Sequence, residues 1–389
     1  MLITIIIFII ILGLLVFVHE CGHFIVARRN GITAHEFGFG FPPRIIGIVK
    51  NEQTGKWQIV RGNKVYEGQK TLYSLNWIPL GGFVRIKGED GQDKDSDSFA
   101  TKTAWIRTKV LGAGVVMNFI LAWILISFAM GIGVPQPVNQ AHGSAVVADP
   151  RVQVVSVAPG SPAESMGIRT GDELRVACTS GDSNCSSLAV TQNVQDFIAK
   201  NKGQEIVLEV KRGDRLVKLS GIPRIDAPEG EGSLGISMVE TALVRYSFFE
   251  AIWRGLQTTF NLTVTIVLAL YDIIATLLVG EKVSADLAGP VGIAFLTRQV
   301  TDLGFVYLVQ FAAILSINLG ILNVLPIPAL DGGRMFFVLI EKIKGSPVSR
   351  KIEGIAHSIG FSLLILLMIV VTARDFIRYE VIDKFLGLF

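Results

Sequence analysis

The chain contains His19-Glu20-Cys21-Gly22-His23, two histidines four residues apart with a carboxylate beside the first. On an α-helix, residues at that spacing leave one face about 6 Å apart along the axis, so both imidazoles can reach a single Zn²⁺ at about 2.0–2.1 Å. Glu20 then stands where a general base would take a proton from water that the metal has made more acidic. That is the chemistry of metal-assisted hydrolysis. Gly22 keeps the neighbouring helix surface small. Cys21 leaves the histidine face and reads as a small buried hydrophobe rather than a further ligand.

Two histidines leave a zinc site one protein ligand short when the fourth position is kept for water. His35, His142 and His357 have no context that suggests ligation, and each reads as a polar loop or span-end residue. Asp331 is the better candidate. It follows Asn323-Val324-Leu325-Pro326-Ile327-Pro328-Ala329-Leu330, an apolar segment that two prolines interrupt. Irregular backbone at membrane depth is tolerated only where it is buried in protein or lines a wet cavity. A cavity holding zinc and water meets that condition and also accommodates the carboxylate. The competing reading makes Asp331 the cap of a helix that begins near Gly332.

The elements that must position these residues are read from composition and apolar runs. Of 389 residues, 18% are charged and 50% hydrophobic, and the mean hydropathy is +0.51; this is the composition of a chain with bilayer-buried segments. A net charge of +3 is too small to argue for nucleic acid. The first apolar run, Leu2 to Val18, continues in a helical pattern to about Ala27. A secretory signal peptide fits it poorly, because no basic residue precedes it and no small-residue cleavage site comes before Arg28-Arg29. Residues 1–29 are therefore expected to form a retained first span carrying the HExxH motif.

Residues 30–108 follow as a cytoplasmic or membrane-re-entrant β region, in which Tyr73 to Ile86 reads as a hairpin with an unusually apolar surface. Residues 109–135 make the second span, with Gly112 and Gly114 allowing close helix contact and Asn118 available to hydrogen-bond between helices. A β-rich soluble domain is expected over 151–225, a third transmembrane segment carrying Asp331 over 305–335, and a fourth over 355–374. The intervening segment 245–295 is ambiguous. Its apolar stretch Gly255 to Val279 is long enough to span, yet holds Gln257, Asn261, Tyr271 and Asp272.

Basic residues orient the set. Arg28, Arg29, Arg44 and Lys50 follow the first span, Lys102, Arg107 and Lys109 precede the second, and Lys342, Lys344, Arg350 and Lys351 lie between the last two, whereas Pro135 to Pro150 has no Lys or Arg. By the positive-inside rule the N-terminus is outside, residues 30–108 are cytoplasmic and the soluble domain is extracytoplasmic. Parity then decides the ambiguous segment. A full crossing between Gly255 and Val279 would carry Asp331 to the opposite face, roughly 30 Å from the histidines. Residues 245–295 are therefore expected to lie in the outer interface as an amphipathic segment, anchored by Phe248, Phe249 and Trp253.

Together these residues resemble a known family, the site-2 proteases, and within it the bacterial regulator of sigma E protease type. The resemblance covers nearly the whole chain: HExGH in the first span, Pro79-Leu80-Gly81-Gly82-Phe83-Val84, Gly114 to Asn118, Gly289-Pro290-Val291-Gly292-Ile293-Ala294, and Asn323 to Gly333. The insert resembles a PDZ domain at Val152 to Val157, Gly160 to Ile168, Gly171-Asp172-Glu173-Leu174 and Glu205 to Arg212. The fold implied is a polytopic α-helical membrane protein with four transmembrane helices, a membrane-associated β-hairpin and an inserted PDZ-like β-rich domain. The sigma E branch commonly has two tandem PDZ domains, and this insert has room for one.

The resemblance implies that His19, His23 and Asp331 are zinc ligands, Glu20 the general base, and Asn323 a residue near the substrate or the developing oxyanion. The hairpin at Gly81, Gly82 and Phe83 would add a strand to an unwound substrate helix. Implied substrates are single-span membrane proteins such as anti-sigma factors or signal-peptide remnants, cleaved in or near their transmembrane segments in the bacterial cytoplasmic (inner) membrane. The PDZ-like domain would either capture peptide termini or act as a steric filter. Two rivals are an inert scaffold displaying that domain and a metallohydrolase acting on a lipid or small molecule. Cys178 and Cys185, if extracytoplasmic, could close a disulfide.

Overall fold

The computed structural model describes residues 2–51, 54–63, 65–89, 91, 93–137, 146–179, 185–213, 215–228, 230–280, 288–346 and 348–378. In chain order the elements begin with α1 (Leu2–Arg29), β1 (Ala34–Lys50), β2 (Trp57–Val60), β3 (Leu72–Ile86) and α2 (Ala104–Ile132). There follow β4 (Val134–Pro137), β5 (Val146–Val157), α3 (Pro162–Met166), β6 (Glu173–Thr179), β7 (Cys185–Ser187), α4 (Thr191–Lys200), β8 (Ile206–Arg212), β9 (Arg215–Gly221) and β10 (Ile236–Arg245). The chain closes with α5 (Phe248–Val279), α6 (Pro290–Leu303), α7 (Phe305–Val324), α8 (Asp331–Lys344) and α9 (Arg350–Arg378). Two compact units result, one of Met1–Leu125, Gln257–Arg298 and Phe311–Phe389, the other of Ile126–Leu256 and Gln299–Gln310.

Five of the described helices are long and apolar enough to cross a membrane: those at Ile3–Arg29, Ala104–Ile132, Phe248–Val279, Phe305–Val324 and Lys351–Arg378. Large apolar side chains such as Ile3, Ile10, Leu14, Phe361 and Leu363 lie exposed on them, which in water would be unfavourable and in hydrocarbon is the resting state. The chain is a multi-pass membrane protein. The stretch at 255–279 belongs to one unbroken helix of 32 residues, well beyond the roughly 20 needed to span. Part of the expected interfacial segment, 281–287, lies outside the described residues.

In the first unit the expected hairpin has a different form. Phe39 of β1 is opposite Gly82 on one side and Leu75 on the other, and Phe37 is likewise opposite both Val84 and Tyr73. The two arms of β3 therefore never pair with each other, because the first arm of β1 lies between them. The second arm of β1 pairs in turn with the first arm of β3, as in Ile48 opposite Tyr73, and β2 completes the sheet beyond it. Glycines make the folding-over possible. Gly40 has φ +77° and Gly81 φ +112°, values an L side chain adopts only under strain. The turn chemistry at Pro79 to Gly82 marks the reversal in the sequence, but the strand that fills the gap comes from about forty residues earlier and leaves no local mark.

The second unit contains a seven-stranded sheet with main order β4-β10-β5-β6-β8-β9, and β7 paired to β6. Its core is Val152, Val154, Ala163, Leu174, Val194, Ile206, Leu208 and Leu234 with their neighbours. The sheet extends past the expected 151–225, since β4 and β10 join it from either flank. β10 pairs along β5 from Ile236 opposite Val157 to Arg245 opposite Val146, and Leu234 enters the same core. Ser161 caps α3 through Glu164 N–H, and Gly167 ends it in the left-handed conformation, the pairing of signals that the Ser-Pro start and glycine stop encode. Cys178 and Cys185 are joined by a disulfide between β6 and β7.

Candidate metal centre

All residues of this site belong to the first unit. On α1, His19 and His23 are both buried and their Nε2 atoms lie 3.1 Å apart. The side that carries them can be buried because of two glycines. A Cβ on Gly22 would come within 2.4 Å of the Ala113 carbonyl oxygen on α2, and one on Gly114 would come within 2.5 Å of His23 Nε2. Gly114 thus gives α2 a bare patch that faces both imidazoles.

Asp331 arrives from 312 residues away and puts its Oδ2 3.0 Å from His19 Nε2 and 3.3 Å from His23 Nε2. The path is built by the break in the helix. α7 ends at Val324, and Ala329, with φ 83°, turns the chain just before α8 begins at Asp331. Gly332 and Gly333 let α8 start close under this turn, because a Cβ on either would meet the carbonyls of Val324 and Leu325 or of Ile327 at 2.2–2.3 Å. The capping alternative for Asp331 does not describe the geometry. The cap position is Leu330, no side chain caps the helix, and the Asp331 carboxylate is turned toward the histidines.

The contacts of the outer nitrogens bear on which atoms could bind a metal. His23 Nδ1 lies 2.8 Å from the Val110 carbonyl, which can only accept, so Nδ1 holds a proton and Nε2 is the nitrogen left to bind a metal. His19 Nδ1 is 3.1 Å from the fully buried Asn118 amide. The Asn118 Oδ1 has no partner with the amide in this sense, and turning it so that Oδ1 accepts from Nδ1–H satisfies that oxygen and frees His19 Nε2 in the same way. Ser316 Oγ on α7 holds the Asn118 main chain at 2.8 Å. Two lone pairs and a carboxylate oxygen therefore converge on one point. The triangle they form, with sides of 3.0, 3.1 and 3.3 Å, is close to the edge of about 3.3 Å that tetrahedral bonds of about 2.0–2.1 Å require. The residues present fit a zinc ion.

Among the described residues, the only group of three or more His, Cys, Asp or Glu that could hold a metal ion is His19, His23 and Asp331. Glu20 is outside it, and its Oε2 accepts the Val84 N–H of β3 at 3.1 Å. Gly81 and Gly82 pack against Val16 and Phe17 of α1, one turn before the motif, and Phe83 stacks with Phe41. Asn323 is half-buried near the end of α7, and no hydrogen bond joins it to the cluster. His142 lies outside the described residues.

Two supporting residues escape a reading of the sequence. Besides Asn118, whose partner was not evident, His357 on α9 accepts the Ala329 N–H at 2.7 Å and so pins the strained turn ahead of Asp331. Arg334, one turn into α8, is ion-paired with Glu89 after β3. A histidine in an apolar helix gives no sign of which distant amide it will meet.

A cation site of two histidines and an aspartate, set among helices that cross a bilayer and accompanied by a carboxylate on the same helix that is not part of the cluster, defines a membrane zinc metalloprotease. The chain belongs to peptidase family M50, whose pattern matches residues 7–62 and 56–367. It is 30% identical over 457 aligned residues to the regulator of sigma-W protease RasP of Bacillus subtilis, covering 96% of this chain and 98% of that protein. With the zinc metalloprotease RasP of Geobacillus kaustophilus it shares 29% identity over 97% of this chain and 98% of the relative. A candidate zinc metalloprotease of Clostridium perfringens is 34% identical over 93% of this chain and 95% of its own length.

Proposed function

We propose that this zinc metalloprotease cleaves peptide bonds in or beside the transmembrane segments of single-span membrane proteins, with His19, His23 and Asp331 as zinc ligands and Glu20 as general base. The convergence of two imidazole lone pairs and one carboxylate oxygen at membrane depth carries the reading. These three residues would hold the zinc, which when bound would supply Lewis-acid activation of water and of the scissile carbonyl. Glu20 would accept a proton from water and pass it to the leaving amine. Val110 and Asn118 hold the two imidazoles in the tautomer that leaves Nε2 free.

A peptide bond in a transmembrane helix is hydrogen-bonded and shielded, so its backbone must be opened before water reaches it. The Gly82 to Ile86 arm of β3 pairs with β1 on one side only among the described residues, and its outer edge would pair with the opened segment. Asn323 would stand near the substrate. One relative is named a regulator of sigma-W protease; for this chain the substrates proposed are membrane-anchored anti-sigma factors and signal-peptide remnants, which share a single apolar helix. The reading places the protein in the bacterial cytoplasmic (inner) membrane, with the metal toward the cytoplasm and the PDZ-like unit outside, where it admits or captures peptide ends.

Elemental analysis and proteolysis test the assignment together. Glu20→Gln should keep near-full zinc and lose at least about 100-fold in turnover, the scale of a general base, whereas His19→Ala, His23→Ala and Asp331→Ala should lose zinc. Near-normal turnover in Glu20→Gln, or full zinc in Asp331→Ala, would overturn it. Fragments stabilised in membranes of cells carrying Glu20→Gln would identify substrates, and a scaffold or lipid hydrolase would stabilise none.

A further inference from the structure

The general base is already engaged. Glu20 Oε2 accepts the Val84 main-chain N–H at 3.1 Å, and this amide lies on the outer edge of the sheet. Lys87 N–H points inward to the Thr33 carbonyl, and main-chain donors alternate along a strand, so 83, 85 and 87 face β1 while 82, 84 and 86 face away from it. Val84 is opposite Phe37 in that ladder, and its N–H is the group an added strand would take first. In an antiparallel addition one substrate residue would exchange two hydrogen bonds with Val84, accepting from its N–H and donating to its carbonyl. The Glu20 carboxylate occupies half of that ring.

Resting on the strand-adding function above, we propose that the Val84 N–H is a donor shared between the catalytic base and the substrate. At rest it holds the Glu20 carboxylate, which takes the one hydrogen bond this outward amide offers. When an opened substrate segment adds to β3, the substrate carbonyl takes the Val84 N–H and Glu20 is released to serve the attacking water. The base becomes available only with an extended peptide in place, which links strand addition to hydrolysis and leaves the resting enzyme with its base withheld. No covalent step is involved; one acceptor replaces another on the same donor. Val84 is a positioning residue in this scheme, and the part that matters is its main chain.

The test compares two inactive variants that are both neutral at position 20. Gln can still accept from the Val84 N–H; Ala cannot. The probe is a fluorescein-labelled synthetic transmembrane peptide with a Gly-Pro break at its centre, titrated in detergent micelles against the purified, zinc-loaded full chain. Glu20→Ala should bind it about 3- to 10-fold more tightly than Glu20→Gln, the range of one net hydrogen bond. Removing the amide proton with Val84→Pro, which an edge strand tolerates where the N–H faces outward, should abolish the difference. Should Val84→Pro lose zinc, a backbone ester at Val84 removes the same proton with the side chain intact. A photocross-linker at Phe83 reports whether the probe lies on the edge. Cross-linking with equal affinities, or a difference that survives loss of the N–H, overturns the release mechanism alone. Absence of the cross-link in every variant overturns the strand-adding reading and the release mechanism with it.

Discussion

At Gly114 a single added carbon would lie 2.5 Å from His23 Nε2 and 2.6 Å from His19 Cε1, so neither ring could keep its place. Gly114→Ala should weaken zinc retention at least about tenfold, the range seen when a ligand loses its support, measured by chelator competition. Gly354→Ala, where nothing lies within 4 Å of the added carbon, should leave zinc binding unchanged. His357 acts on Asp331, the proposed third ligand. Without its ring nitrogen the Ala329 N–H loses its acceptor and the positive-φ turn before Asp331 loses a restraint that helps offset its strain. His357→Ala should therefore release zinc faster than the unsubstituted protein. His357→Gln, which can still accept from the amide, should recover part of the loss.

Among the elements, α6 is joined to α9 by a carboxylate. Asp375 is buried and accepts the Gly292 N–H at 2.7 Å, and a Cβ on Gly289 would lie 2.8 Å from its Oδ2, so the Gly-Pro-Val-Gly start of α6 is shaped around it. Asp375→Ala leaves a buried donor unsatisfied at a cost of about 1–3 kcal/mol. Its thermal midpoint in detergent should fall, while Asp375→Asn, still an acceptor, should fall less. The β6–β7 pair offers a second check. Thiol labelling of protein recovered without reductant should modify neither Cys178 nor Cys185, since the two are bonded. Rapid labelling of both would contradict the bond and the extracytoplasmic placement proposed for this domain.

Across the whole molecule, the meeting of Asp331 with His19 and His23 constrains topology. α1 and α7 must run in the same direction for their C-terminal ends to share one depth, and α2 must return between them. If α5 crossed fully, another crossing would be needed before α7. The intervening α6 has 14 residues, about 21 Å of helix against a core of about 30 Å. We therefore expect α5, despite its length, to lie along or dip into the outer interface, leaving four spans. A cysteine at Gly280 should react with an impermeant reagent added from outside, and reaction only from the cytoplasmic side would refute this. The second position suited to the same test, Ser284, lies outside the described residues.

Local chemistry was enough to expose the motif and the break. The four-residue spacing of His19 and His23 is a property of one helix turn, prolines following an apolar run as after Asn323 end a helix, and runs of apolar residues mark candidate spans by their length. These features point to zinc and to Asp331 before any fold is known. What the sequence could not supply were the partners across long separations. The strand between the arms of β3, the Asn118 and His357 supports, the two flanking strands of the inserted sheet and the Glu20 contact with Val84 all join residues tens of positions to about a hundred apart. Such contacts have no period in the sequence. They exist only once helix packing has brought the amides, rings and carboxylates within hydrogen-bonding distance, and there the tertiary structure decides which of several plausible polar residues serves the metal and which serves the fold.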